Sequence, residues 1–251
     1  MADEPHGWLV WQRAVSLHVL EFDILPQPDN TTCGPTCLHA LYRYHGHDLP
    51  LEKVIDDTPK LAEGGTLAVL LGQHALSQGF AAHIITQNLQ VFDPTWFQEG
   101  APPLDDRLRR QMAVKPWPKL QHASQAYLDF LELGGTIGME DLTPSLIRRL
   151  LKRALPILTG LSATYLYGCA REYGPNCDHD DIRGEPSGHF VVLCGYDKRE
   201  RGVLVADPFL AHPFGPDHYY QVRADRVIRA ILLGVLTYDS NLLIVQPRGQ
   251  K

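Results

Sequence analysis

A cysteine and a histidine can together break an amide bond if the thiol sits where its anion is favoured and the imidazole can take its proton. The segment "PQPDNTTCGPTC" offers such a thiol at Cys33. Its prolines, Asp29, Asn30 and two threonines are turn residues. After them, apolar side chains at Cys37, Leu38, Leu41 and Tyr44 recur with helical spacing. Thr31 or Thr32 can cap a helix starting near Cys33, Pro35 is tolerated in its first turn, and Gly46 stops it. A thiolate there faces unpaired N–H groups and the positive end of the helix dipole, and the same N–H groups can hold an oxyanion. Most free cysteines are simply small core residues. Two neighbours favour the reactive reading of Cys33: Gly34, which lets a substrate approach the backbone, and Gln27, six positions upstream and within reach of the same turn. Cys37, one helical turn further in and lacking free N–H partners, reads as core.

Of 12 histidines, His189 has the best setting for a base. It opens "GHFVVLCGYD", a strand; "KRERG" is a hairpin turn and "VLVADPF" the returning strand. If Asp197 pairs with Gly202, His189 falls opposite roughly Leu210, and Asp207 lies close by to hold the imidazole in one tautomer. Asp197 itself is eight residues from His189, or ~26 Å at ~3.3 Å per residue, which is too far. Pro208 ends the ladder next to Asp207. His179, His212 and His218, in loops, stay open as alternative bases.

These groups need elements to carry them. Residues 8–25 suggest one or two strands, 67–78 a helix ended by Gly79, and "AAHIIT" a short strand. "KLQHASQAYLDFLELGG" and "TPSLIRRLLKRALP" read as helices, and "ILTGLSATYLY" as a buried strand. The stretch 99–118, rich in proline and charge, reads as irregular in part. The C-terminal third is strand-like except for "RADRVIRAILLGV", a helix. Helices early and strands late, without βαβ alternation, give an α+β class: an N-terminal helical part carrying the Cys33 helix, packed on a C-terminal antiparallel sheet carrying His189 and Asp207.

The bulk properties narrow the function. A length of 251 residues suits a single domain, 1–251, with an enlarged, mainly helical insertion within 47–186. A net charge of −6 gives no reason to expect nucleic acid. The N-terminus does not read as a signal peptide, and no membrane span is expected. Five cysteines on such a chain read as reduced thiols in a cytoplasm. The segment "GCAREYGPNCDHDDIRGEPSG" mixes thiols, carboxylates and His179, but its spacing fits no zinc pattern, so no metal or other cofactor is expected. It reads as a polar loop beside the site whose acidic residues, Asp180 and Asp181 among them, prefer a positively charged substrate. "RRLLKR" reads as the solvated face of a helix, and Trp96 and Trp117 as packing residues more than cleft walls.

Taken together, "QPDNTTCGPTCLHALYRYHG", "GHFVVLCGYD" and "ADPF" resemble the papain-like cysteine peptidase superfamily. The likeness is greatest to the bacteriocin-leader-processing (double-glycine) peptidases and their stand-alone bacterial relatives. The motifs cover about 26–46 and 187–208. The resemblance implies a papain-like fold and a catalytic set of Cys33, His189, Asp207 and Gln27. Its implied activity is hydrolysis of a peptide or amide bond through an acyl-thioester, with a peptide or amide as partner. The long 47–186 stretch leaves two alternatives: acyl or peptidyl transfer on the same fold, and a catalytically silent peptide-binding module. Any ATP-binding, transporter or partner enzyme is expected on a separate chain.

Overall fold

A computed structural model of the chain describes residues 17–61 and 64–249. The part of the expected N-terminal strands before Leu17 lies outside these residues. The rest gives β1, Leu17–Val19. The Cys33 helix follows as α1, Cys33–Tyr44, and ends at His45 and Gly46. Next come α2 (Leu51–Asp57), α3 (Ala68–Ser77), β2 (Phe80–Thr86), α4 (Leu104–Val114), α5 (Pro118–Glu132), β3 (Thr136–Gly138) and α6 (Pro144–Lys152). The remainder holds β4 (Ile157–Ser162), α7 (Ala163–Tyr167), a small hairpin of β5 (Glu172–Tyr173) and β6 (Asp178–His179), and β7 (Gly188–Asp197). The chain finishes with β8 (Gly202–Ala206), β9 (Tyr219–Arg223), α8 (Ala224–Leu233) and β10 (Asn241–Pro247).

One eight-stranded sheet organises the molecule, in the order β3-β2-β10-β4-β7-β8-β9, with β1 paired to the far end of β7. All its ladders are antiparallel except β2–β3. The fold is α+β, as the sequence suggests, but the sheet is not confined to the C-terminal third. The stretch 47–186 contributes β2, β3 and β4 to it.

Helices cover both faces. Phe190, Val192 and Cys194 of β7 share a core with α1, α3 and α5, while Val191 and Leu193 share one with α6 and α8. Covering both sides explains why β7 is a nearly unbroken apolar run with all residues after Gly188 buried.

Three local readings change. "ILTGLSATYLY" is a strand only as far as Ser162. There the serine hydroxyl accepts the Tyr165 N–H at 3.3 Å and starts the short α7, which Gly168 closes in a left-handed conformation. The 99–118 stretch holds the helix α4, of which only Leu108 is buried. The β7–β8 hairpin pairs Asp197 with Gly202 as expected, but a bulge between Leu193 and Gly195 shifts the register by one, so the ladder ends at Val192 opposite Ala206.

Candidate active site

The α1 N-terminus is built by Asp29. Its carboxylate accepts from the Thr31 N–H at 2.7 Å and the Thr31 hydroxyl at 2.8 Å. Thr32 occupies the cap position, yet its side chain makes no bond to the helix; it faces the Asp29 backbone instead. The first-turn N–H groups of α1 therefore have no side-chain cap, unlike those of α6, where Thr143 accepts from Leu146. Gly34 has a packing reason. A Cβ there would lie 2.7 Å from Thr66 Cγ2 and 3.2 Å from both Leu71 and Phe190, so the missing side chain lets α1 close on β7 and α3.

Cys33 is 8% exposed and His189 9%, whereas Asp207 is fully buried. His189 Nε2 donates to Asp207 Oδ1 at 2.8 Å, and the imidazole lies close enough to Cys33 for the two to interact electrostatically. With Nε2 engaged, Nδ1 is the ring nitrogen left for sulfur. Burial disfavours charge on the imidazole, but the charges of Asp207 and Cys33 and the hydrogen bond to Asp207 outweigh it and raise His189 to about 10. Burial likewise opposes the Asp207 carboxylate. The His189 charge and hydrogen bond, the Tyr220 hydroxyl and the Phe209 N–H win, and its pKa is lowered.

Sequence reasoning missed the groups that hold Asp207. Its Oδ2 accepts from the hydroxyls of Tyr167 at 2.8 Å and Tyr220 at 2.7 Å, and its Oδ1 takes the Phe209 N–H at 2.9 Å as well as His189. Burial, followed by the Asp207 charge, pushes both phenols up, so they remain donors. No motif marks Tyr167; the pair "YY" at 219–220 is the only local signal for Tyr220.

Gln27 is brought to the same place. Its backbone N–H donates to Pro208 O at 3.0 Å, tying its loop to the residue after Asp207. Its side-chain Nε2 donates to Asp29 O at 2.8 Å, which fixes the amide at the foot of α1.

The alternative residues are engaged elsewhere. His212 Nδ1 accepts from the Phe214 N–H at 3.2 Å and Nε2 meets Asp217 O at 2.9 Å. His218 Nδ1 lies 2.6 Å from Asp207 O, a backbone contact, and His179 is exposed on β6. Asp197 accepts the turn N–H groups of Arg199 and Glu200. Cys37 is fully buried against Phe190 O, and burial with Cys33 and Asp207 nearby pushes its thiol well up. Burial also raises Cys169, Cys177 and Cys194. Among the described residues, no group of three or more His, Cys, Asp or Glu is placed to hold a metal ion. Nor is Asp180 free for a substrate: it pairs with Arg183 Nε at 2.6 Å and accepts the Ile182 and Arg183 N–H groups.

The sequence profile of the Peptidase_C39 like family matches residues 19–222, a span that contains all of these groups. The chain belongs to this peptidase family. Among solved structures it is similar to one described as a C39-like peptidase from Bacillus anthracis, at 13% identity and a TM-score of 0.52, covering 93% of this chain and 99% of that one. That likeness shows the papain-like fold. Xylellain, a cysteine protease from Xylella fastidiosa, is matched at 14% identity and a TM-score of 0.45, over 98% of this chain and 91% of that one. A double glycine motif protease from an AMS/PCAT transporter, solved in complex with the leader peptide, is matched at 13% identity and a TM-score of 0.42, over 91% and 94%. Comparison with curated protein sequences finds no match. Among the described residues, no helix is long and apolar enough to cross a membrane.

Proposed function

We propose that this family member is a thiol peptidase or amide hydrolase that works through an acyl-thioester on Cys33. The observation that carries the reading is the His189–Asp207 hydrogen bond with Cys33 beside it at the start of α1. His189 Nδ1 takes the Cys33 proton while Asp207 stabilises the imidazolium. Sulfur adds to the substrate carbonyl carbon, and the oxyanion is held by the Cys33 N–H and the Gln27 amide. The intermediate collapses with cleavage of the C–N bond, and the proton on His189 passes to the leaving amine. Water, deprotonated by His189, then splits the thioester, giving a carboxylic acid and the free thiol. The chain acts as one papain-like unit, with 47–186 an enlargement of it. The free state of all five cysteines supports a reducing, cytoplasmic setting.

Mass spectrometry of the protein incubated with a diverse peptide pool tests this. The expected result is cleavage products with wild type, none with Cys33→Ala, and an acyl adduct on Cys33 after acid quenching. A pool left intact, with no adduct, would remove the hydrolase reading and leave a peptide-binding module. Products diverted to amides by an added amine would favour acyl transfer.

A further inference from the structure

Gln27 reaches the foot of α1 on a segment that no strand ladder holds: residues 20–27 lie outside every strand of the sheet. At one end the Leu20 N–H donates to Cys194 O at 2.9 Å, and at the other the Gln27 N–H donates to Pro208 O at 3.0 Å. Between them the backbone is clamped by one phenol. The Tyr219 hydroxyl donates to Phe22 O at 2.7 Å and accepts from the Ile24 N–H at 3.2 Å. Phe22 is fully buried, and Ile24 and Tyr219 are buried with it in the core shared with α1. An unpaired backbone group is costly in such surroundings, so both groups depend on this hydroxyl. Asp23 also pairs with Arg43 of α1 at 2.7 Å, but both side chains are partly exposed and the tie is correspondingly weak.

Tyr219 stands next to Tyr220 on β9, and neighbours on a strand point to opposite faces. Tyr219 lies in the core shared with α1, and Tyr220 in the core shared with α6 and α8, where it donates to Asp207. Tyr219 also pairs across the ladder with Ala206, the residue before Asp207, and the Asp207 N–H donates to His218 O at 2.8 Å. The strand that fixes the Asp207 carboxylate therefore also fixes the phenol that clamps the Gln27 segment. Burial pushes the Tyr219 phenol up, so it keeps its proton and remains a donor. From Ile24 to Gln27 the chain spans at most about 10 Å at ~3.3 Å per residue, so a shift at the clamp is felt at the amide.

We propose that Tyr219 is a positioning residue for the oxyanion hole: its bridge between Phe22 and Ile24 sets where the Gln27 amide stands beside Cys33. Tyr219 acts through Gln27 and not on the thiol. The proposal rests on the reading of Cys33 as nucleophile and Gln27 as oxyanion donor.

Capture of an aldehyde tests this without turnover. The Cys33 sulfur adds to the carbonyl carbon of an N-acetyl dipeptide aldehyde, the C=O electron pair moves to oxygen, and that oxygen gains the thiol proton. The hemithioacetal oxygen then occupies the oxyanion hole. With a mixed library of such aldehydes, affinity is read by intact mass as protection of Cys33 against iodoacetamide. In Tyr219→Phe, which keeps the ring, capture is expected to weaken roughly tenfold, less than the about 10²–10³ for outright loss of a donor. Alkylation without aldehyde should keep its wild-type rate, because displacement of iodide by sulfur builds no oxyanion. In a Gln27→Ala background, Tyr219→Phe should weaken capture no further. Capture unchanged in Tyr219→Phe, or weakened by the same factor in the Gln27→Ala background, overturns the proposal. So does alkylation slowed as much as capture, which would mean a general loosening of the site. Wild type that captures aldehyde with the expected dependence but cleaves no peptide keeps the positioning role and removes the peptidase reading. Peptide cleavage with capture indifferent to Tyr219 does the reverse.

Discussion

The Tyr220 hydroxyl donates to Asp207 Oδ2 at 2.7 Å from the strand next to the one that leads into Asp207. Tyr167 reaches the same oxygen at 2.8 Å from α7, and His189 and the Phe209 N–H share Oδ1. A carboxylate offers about four acceptor positions. All are filled here, which is what allows Asp207 to stay charged while fully buried.

Replacing both tyrosines by phenylalanine keeps the rings and removes two donors. Asp207 then takes up a proton at higher pH and, once protonated, no longer supports the His189 charge. The acid limb of the kcat/KM profile is expected to move to higher pH, with Tyr220→Phe and Tyr167→Phe each giving part of the change. A uniform fall in activity with unmoved limbs would mean that the hydroxyls only stabilise the fold.

Gln27 is held by Asp29 O through its side chain and by Pro208 O through its backbone. Loss of one oxyanion donor costs about 10²–10³ in kcat. Gln27→Ala is expected to lower kcat by about that factor with little change in KM. A variant whose KM rises while kcat holds would assign Gln27 to substrate binding instead.

Gly34→Ala places a methyl 2.7 Å from Thr66 Cγ2. We expect about 1–3 kcal/mol of destabilisation by denaturant melts, from forced repacking between α1 and β7. Alanine here with unchanged stability would show that Thr66 can move aside freely.

Two buried groups link stability to pH, each in its own range and both with stability falling as pH rises. His189 is raised to about 10, so its ion pair supports the fold fully below its ordinary value near 6.5 and is lost as pH climbs towards 10. Asp239 accepts the Ala68 N–H at 2.7 Å and the Asn241 amide at 2.7 Å, and burial pushes it up to about 7 despite them. Between about pH 4 and 7 the folded state keeps a proton that the unfolded state has released, so stability falls across that window. Chemical denaturation from pH 4 to 7 should show the stability of wild type falling relative to that of Asp239→Asn as pH rises, whatever the slope that the lowered histidines His39, His45, His74 and His83 add to both. Identical slopes would mean that Asp239 is ionised throughout.

Much of the candidate site is legible because it depends on short-range signals. Turn residues mark the start of α1, and a five-residue run of charge and glycine sets the β7–β8 hairpin that brings Asp207 back to His189. The Tyr167 and Tyr220 contacts are not legible, since they need α7, β8 and β9 to be placed in space first. Gly34 is visible as a residue but its packing role is not. The helix α4 hides because only Leu108 is buried, leaving no apolar period to read. The bulge near Cys194 leaves no sequence mark, yet it decides how far the hairpin ladder runs.

The central claim is that Cys33 and His189 act as one reactive pair. Intact-mass labelling with substoichiometric iodoacetamide, followed across pH for wild type, Cys33→Ala and His189→Ala, tests it directly. One fast thiol below about pH 7, absent in Cys33→Ala and slowed in His189→Ala, is the predicted result. Five thiols reacting alike, and slowly until about pH 8.5, the range of an ordinary thiol, would contradict it.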